Sequence, residues 1–339
     1  MAKPLFLLFT IFLLAQSCVT RQTHGVNNSV AHDNKYDSEL PNVSISDDLE
    51  YVFSTVKKLN VVAFYMTYEF QPGAITERSM LTKGNVIIKS SASSMSTESV
   101  SGTVITAYYK DLLVGMLTCN HVVDFPDTVI DWYRSKAQGI RTFSVKVKQK
   151  NFISGLPEGE DAVIIAKDPD NDIAFLKKKV DMTGTSIKVF DYPLGKSMDL
   201  QWGSKVYILG FPLGNQMVTS AMVSKPKSSK SPKFLMDAIF NKGISGSPVI
   251  AIRDGVPNFE LVGMAASTSA KSIYYLKPEN VEKYMNSDEP FVGDVVLGHE
   301  RMINYGVTYA VSIDELRRFL KANRPVLEKE GFDMERFFK

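Results

Sequence analysis

Between Val61 and about Ala265 the chain breaks into short runs rich in β-branched and aromatic residues, separated by turn residues. The runs are Val61–Phe70, Asn85–Lys89, Gly102–Tyr109, Leu112–Thr118, Phe143–Val147, Ala162–Ala166, Ile173–Leu176, Lys205–Leu209, Gln216–Val223, Lys233–Ala238, Pro248–Ile252 and Leu261–Met264. Strands this short and numerous predict an all-β barrel or sandwich, because an α/β sheet would need a helix between most of them. Lys110-Asp111 reads as a hairpin turn and the serine-rich Ser90–Ser101 as a mobile loop. Helical patterns stand only at the ends. One opens near Ser46-Asp47-Asp48 with Leu49, Val52, Phe53 and Val56 on one face. The other opens at Ser312-Ile313-Asp314-Glu315 as a capping box and presents Ile313, Leu316, Phe319 and Leu320. A short helix over Val326–Phe338 would follow it.

The first residues belong to a different kind of segment. Lys3, the apolar run Leu5 to Ala15 and the small residues Ala15, Ser17 and Cys18 have the order of a secretory signal peptide. The run falls short of the roughly 20 residues that cross a bilayer. Cleavage after Ser17 would expose Cys18, and Leu14–Cys18 is similar to a lipoprotein processing box, although Ala15 stands where a larger aliphatic residue is usual. Cys18 is therefore a lipidation candidate, with ordinary secretion as the alternative. Either route expects an exported protein, in the periplasm or cell envelope or outside the cell. Residues 18–45 are polar and aperiodic and read as a flexible tether. A main domain over 46–325 and a helical tail over 326–339 follow. Without Cys18, Cys119 is the sole cysteine, so no intrachain disulfide is expected. The formal net charge of +2 gives no reason to expect a nucleic-acid partner, and the lysines of 224–233 read as a solvated loop.

The segment Asn241–Ile250 carries the first sign of chemistry. Gly243 and Gly246 allow a sharp turn on either side of Ser245. Such a turn would present the hydroxyl and leave the Gly243 and Ser245 amides free to receive an oxyanion. A base is then required. His24 and His32 lie in the tether and His299 lacks a strand context. His121 directly follows the strand Leu112–Thr118, where a general base would sit on a barrel lip. A carboxylate would fix its tautomer. Asp172 abuts the apolar run Ile173–Leu176, while Asp168 and Asp170 compete without touching it.

These segments together resemble the trypsin-like serine peptidases, nearest the HtrA/Deg branch. The resemblance runs through Gly102–Val123, Asp172–Leu176, Leu200–Gly214, Met236–Val249 and Tyr309–Ile313, and covers about Gly102–Ala322. It implies two six-stranded antiparallel β-barrels of the chymotrypsin fold with a C-terminal helix. It also implies His121 as base, Asp172 as orienter, Ser245 as nucleophile, and the Gly243 and Ser245 amides as oxyanion hole. Protein or peptide would be the substrate, with neither metal nor cofactor. The chain departs from the family at Ser247, where a second glycine is usual, and at Ile244, where digestive members carry an aspartate. No PDZ domain is expected after the helix. Residues 271–304 read as an insertion shaping access. Ile239 and Phe240 are expected near the base of a specificity pocket and Ala265, Ala266 and Ser267 along its wall, with an uncharged residue preferred before the cut. A catalytically silent peptide-binding relative and an esterase are the alternatives.

Overall fold

A computed structural model describes residues 33–133, 135–181, 186–228, 231–239, 241–278, 293 and 295–339. Its first half is one antiparallel sheet. The strands are β1 (Val56–Phe70), β2 (Ser90–Lys110), β3 (Leu113–Thr118), β4 (Thr128–Trp132), β5 (Ile140–Ile153), β6 (Val163–Asp168) and β7 (Ile173–Lys179), in the spatial order β4-β5-β1-β2-β3-β7-β6. In the second half β8 (Lys205–Gly210), β9 (Met217–Lys225), β10 (Lys233–Met236), β11 (Pro248–Ile252), β12 (Phe259–Pro278) and β13 (Val295–Ser312) close a six-stranded barrel. The expectation of two six-stranded barrels is thus corrected to one closed barrel and a seven-stranded sheet. The reason lies in β1, β2 and β5. Their pairing runs out as far as Phe70↔Ser90 and Glu69↔Thr142, and the sheet spreads along this extension with β4 and β6 at its two ends.

The extension also overturns two local expectations. Ser90–Ser101 is the first half of β2 and not a loop, paired residue by residue with β1 from Val61↔Val100 to Glu69↔Ala92. Its own side chains carry no alternating apolar pattern and are nearly all exposed. The strand is imposed by the partner, whose Val61, Ala63 and Tyr65 are buried. Asn85–Lys89, read as a strand, lies in a helix instead. The helices begin with α1 (Ser46–Ser54), which buries Val52, and continue with α2 (Lys83–Lys89). The Thr82 hydroxyl caps α2 by accepting from the Asn85 amide at 3.3 Å. The β2–β3 hairpin turns through Asp111 and Leu112, both at positive φ (50° and 67°), as a two-residue mirror-image turn demands.

The expected tether is not free as far as residue 45. Tyr36 is buried against the barrel, with its hydroxyl on Glu260 at 2.6 Å and the Arg253 guanidinium 4.0 Å above its ring. Residues 1–32, including the leader and Cys18, lie outside the described set. Past β3 come α3 (Asn120–Val123), then, after β13, α4 (Ile313–Ala322) and α5 (Arg324–Lys329). Helix α4 buries Ile313, Leu316, Phe319 and Leu320. Ser312 does not cap it, and its buried hydroxyl has no partner among the described residues. The tail continues beyond α5 as an aromatic plug: Phe332 meets Phe175 and Tyr108 at ring-centroid distances of 5.2 and 5.0 Å. The Phe338 amide donates to Ala107 of β2.

One lysine of the 224–233 stretch is not solvated. The Lys227 side chain is 7% exposed, 3.5 Å from a Glu315 carboxylate that is itself 5% exposed and 3.4 Å from Asp314. Removing one partner of a buried ion pair strands the other charge. Lys227→Ala is therefore expected to destabilise the fold by about 3 kcal/mol in urea unfolding. A change under half a kilocalorie would show that Arg318, which also touches Glu315, satisfies it alone.

Candidate active site

The loops that carry the site face one another across the two halves. His121 is on α3, just past the end of β3; Asp172 ends the turn before β7; Ser245 lies in the turn before β11. The fold joins all three. His121 Nε2 is 2.9 Å from Ser245 Oγ, and His121 Nδ1 is 2.8 and 3.0 Å from the two Asp172 oxygens. The His121 main-chain amide also donates to Asp172 Oδ1 at 2.9 Å. One carboxylate thus grips both the ring and the backbone of the histidine and fixes its plane. With Nδ1–H donated to the carboxylate, Nε2 is left as an acceptor for the serine hydroxyl.

Three acids competed for this place, and the structure separates them. Asp168 accepts the Asn171 amide (3.0 Å) and side chain (2.7 Å), so it shapes the turn. Asp170 is exposed. Asp172 sits in the left-handed region at φ 62°, a conformation open to Asp and Asn more than to most residues. That backbone kink carries its side chain toward His121.

The turn around Ser245 is held by its carbonyls. Ser245 O accepts from the Thr103 amide (2.8 Å), Gly243 O from the Thr103 hydroxyl (2.8 Å), Lys242 O from the Leu213 amide (2.7 Å) and Ile244 O from the Ser247 amide (3.0 Å). In a trans peptide the N–H points opposite to the C=O of the same unit. Pinning the carbonyls of Lys242 and Ile244 therefore aims the Gly243 and Ser245 amides the other way. Among the described residues neither amide has an acceptor. The two glycines are required by geometry. A Cβ on Gly243 (φ 103°) would fall 2.2 Å from Phe211 O, and one on Gly246 (φ 91°) 2.0 Å from Thr103 O. Ser247 fits in place of a smaller residue because its neighbour is Gly210, whose absent Cβ would lie 1.9 Å from Ser247 Oγ.

The residues expected to form a pocket are placed less uniformly. Ala265 and Ala266 on β12 are fully buried; Ala266 O accepts from Ser245 Oγ at 3.3 Å and Ala265 O from the Gly246 amide at 2.8 Å. Ile239, expected near a pocket base, is 59% exposed. Ala238 is the residue turned inward, its carbonyl held by the Thr308 hydroxyl at 2.8 Å. Phe240 and the side chain of Ser267 lie outside the described residues, as do Glu279, Glu282 and Asp288. The described parts of the insertion continue β12 and β13 as a two-stranded ribbon, Ala270↔Ile303 to Pro278↔Val295, on which the rings of Tyr274 and His299 stack at 4.8 Å.

Two residues escaped the reading of the sequence. Thr103 bridges β2 to both flanks of the nucleophile turn, since its hydroxyl also accepts from the Phe211 amide at 3.2 Å. Cys119 is fully buried behind His121 and donates to Ala265 O at 3.3 Å. Its Sγ, His121 Nδ1 and an Asp172 oxygen lie within 4.8 Å of one another. The nitrogen and the carboxylate already bond to each other, and burial with the nearby Asp172 charge pushes the thiol pKa well up. The set as it stands suits hydrogen bonding better than a cation, which needs a thiolate. Because the folded pKa lies above the unfolded one, this thiol favours folding below the ordinary thiol range, and the benefit is lost as pH rises past it. Native protein at pH 8 is thus expected to resist iodoacetamide while urea-unfolded protein reacts, as read by intact mass. Rapid native alkylation would show that the thiol is open.

Residues 100–264 match the family model of the trypsin-like peptidase domain, a stretch just under half of the 339 residues. No curated protein matches the chain. The matched stretch spans His121, Asp172 and Ser245, and the closed barrel beside a seven-stranded sheet is consistent with the chymotrypsin-like fold.

Proposed function

We propose that this chain is a serine endopeptidase. The observation that carries the reading is the single line of contacts from Asp172 through His121 to Ser245, at 2.8 and 2.9 Å. Ser245 Oγ attacks the scissile carbonyl while His121 Nε2 takes its proton. The negative oxygen of the tetrahedral species is received by the Gly243 and Ser245 amides, whose lack of an acceptor among the described residues supports this role. His121 then gives the proton to the leaving amine, and the C-terminal fragment departs. Water, deprotonated by the same nitrogen, releases the acyl group from Ser245. Asp172 stays ionised and holds the imidazole through both halves. Ser245 lies beside Ala266 O and the buried Ala265, and no acid is present in 263–267 or 239–240. This supports an uncharged residue before the cut.

Export is part of the proposal, supported by the order Lys3, Leu5 to Ala15, Ser17 and Cys18. The likeness of Leu14–Cys18 to a lipoprotein processing box supports lipid on Cys18 as the tether. A fluorophosphonate probe tests the chemistry. Labelling should occur at Ser245, mapped by peptide mass, and should disappear on acid unfolding. A folded protein that takes no label would leave the fold with binding alone.

A further inference from the structure

The extension that spreads the first sheet leaves a strand edge open, and the edge ends at the nucleophile. β3 pairs with β2 only over Ile105–Lys110, so Ser90–Val104 has β1 on one side and, among the described residues, no strand on the other. The direction of each backbone group follows from hydrogen bonds already fixed. The Thr106 amide donates to Thr55 O, on the β1 side. The Thr103 amide donates to Ser245 O, and Thr103 O accepts from the Thr118 hydroxyl, both away from β1. In an antiparallel ladder each residue turns both its N–H and its C=O to the same side, and successive residues alternate. The register with β1 is unbroken from Ile105 to Ala92. Ser93, Met95, Thr97, Ser99 and Ser101 therefore face outward, each with an N–H and C=O that have no partner among the described residues.

Natural sheets guard such edges with lysines, prolines, bulges or a covering segment. Here the residues from 91 to 101 are serine, threonine, alanine, methionine and valine with one charge, Glu98, and all but the half-buried Val100 are exposed. Small side chains leave the backbone approachable from either face. We infer that this edge is a docking strand for the substrate polypeptide, which adds to β2 as a further antiparallel strand over Ser93–Ser101. The occupant is set by continuity: β2 runs toward Ser245, and its next outward-facing residue, Thr103, is bonded to Ser245 itself. A chain lying antiparallel to β2 leaves Ser245 in its own N-to-C direction, so the docked part is the portion beyond the scissile bond. The contacts are main-chain ones, and so the substrate class is extended or unfolded polypeptide with several residues after the cut, of little sequence preference there. The inference rests on the peptidase reading, whose own failure shows separately as absence of probe labelling.

The test uses peptides around a cut mapped in an unfolded protein, carrying one or eight residues beyond it. The long peptide should be cleaved with a kcat/KM at least tenfold higher. Thr97→Pro removes an outward N–H without touching the β1 ladder and should lower the long-to-short ratio roughly fivefold, the worth of about one net hydrogen bond; Thr97→Ala, which keeps the amide, should retain the ratio. Equal turnover of the two peptides by the unsubstituted protein would overturn the inference. Hydrogen exchange on Ser245→Ala gives a reading independent of turnover: the long peptide should protect the amides of Ser93, Met95, Thr97, Ser99 and Ser101. Protection that grows with protein concentration and ignores peptide would assign the edge to a second copy of this chain, and no protection would leave it unused.

Discussion

Ser245→Ala is expected to abolish fluorophosphonate labelling and to lower kcat against an unfolded protein by about 10⁶-fold. The hydroxyl is the bond-forming atom, and His121 Nε2 has no other proton to take from this position. The fold should survive the change. Beyond its contact with His121 the hydroxyl bonds, among the described residues, only to Ala266 O, whereas the turn is held by the main chain through Thr103, Ser247 and Ala265. Thermal unfolding within a few degrees of the parent, together with lost cleavage, is the expected pair of results. Undiminished cleavage by the variant would mean that a contaminant or another residue performs the reaction.

The second large effect belongs to Asp172→Asn. Asparagine is isosteric and tolerates the positive φ of 62° at least as well as aspartate, so the backbone kink is kept and the charge alone is removed. The amide NH₂ would now donate to Nδ1, shifting the ring proton to Nε2, where it can no longer accept from Ser245. Turnover should fall by roughly 10⁴-fold while the long-to-short peptide ratio is preserved, because docking on β2 does not pass through the imidazole. A variant with intact kcat would identify another acid, and Asp168, bound to Asn171, would be examined next.

Which side chains would meet was legible from short motifs, because a histidine after a strand, an acid before one and a serine between glycines are local patterns. The choice among Asp168, Asp170 and Asp172 was narrowed by the apolar run at Ile173 and is resolved in the fold by hydrogen bonds. Other features depended on partners far along the chain. Nothing in Ser90–Ser101 marks a strand, since the pattern that fixes it belongs to β1. The closure of only one barrel follows from how far β1, β2 and β5 stay paired, a length invisible in any one of them. The capping box at Ser312 has the right residue types, yet the Ser312 amide is taken by Pro232 O and its hydroxyl is buried without a partner. Lys227 looked solvated among serines until Glu315, 88 residues later, came to lie beside it. Ile239 faces outward because Ala238 takes the inward position.

Thr103 gives the site a kind of safety catch. Its amide and hydroxyl make three hydrogen bonds, to Ser245 O, Gly243 O and the Phe211 amide, and they fasten the half of the molecule that supplies His121 and Asp172 to the half that supplies Ser245. The halves cannot drift apart far enough to break the 2.9 Å contact between His121 and Ser245 without releasing that clasp. A copy that has begun to come undone, or has not finished assembling, thus holds an isolated serine on one side and an isolated histidine on the other. Only the fully joined molecule sets the serine hydroxyl against the histidine ring.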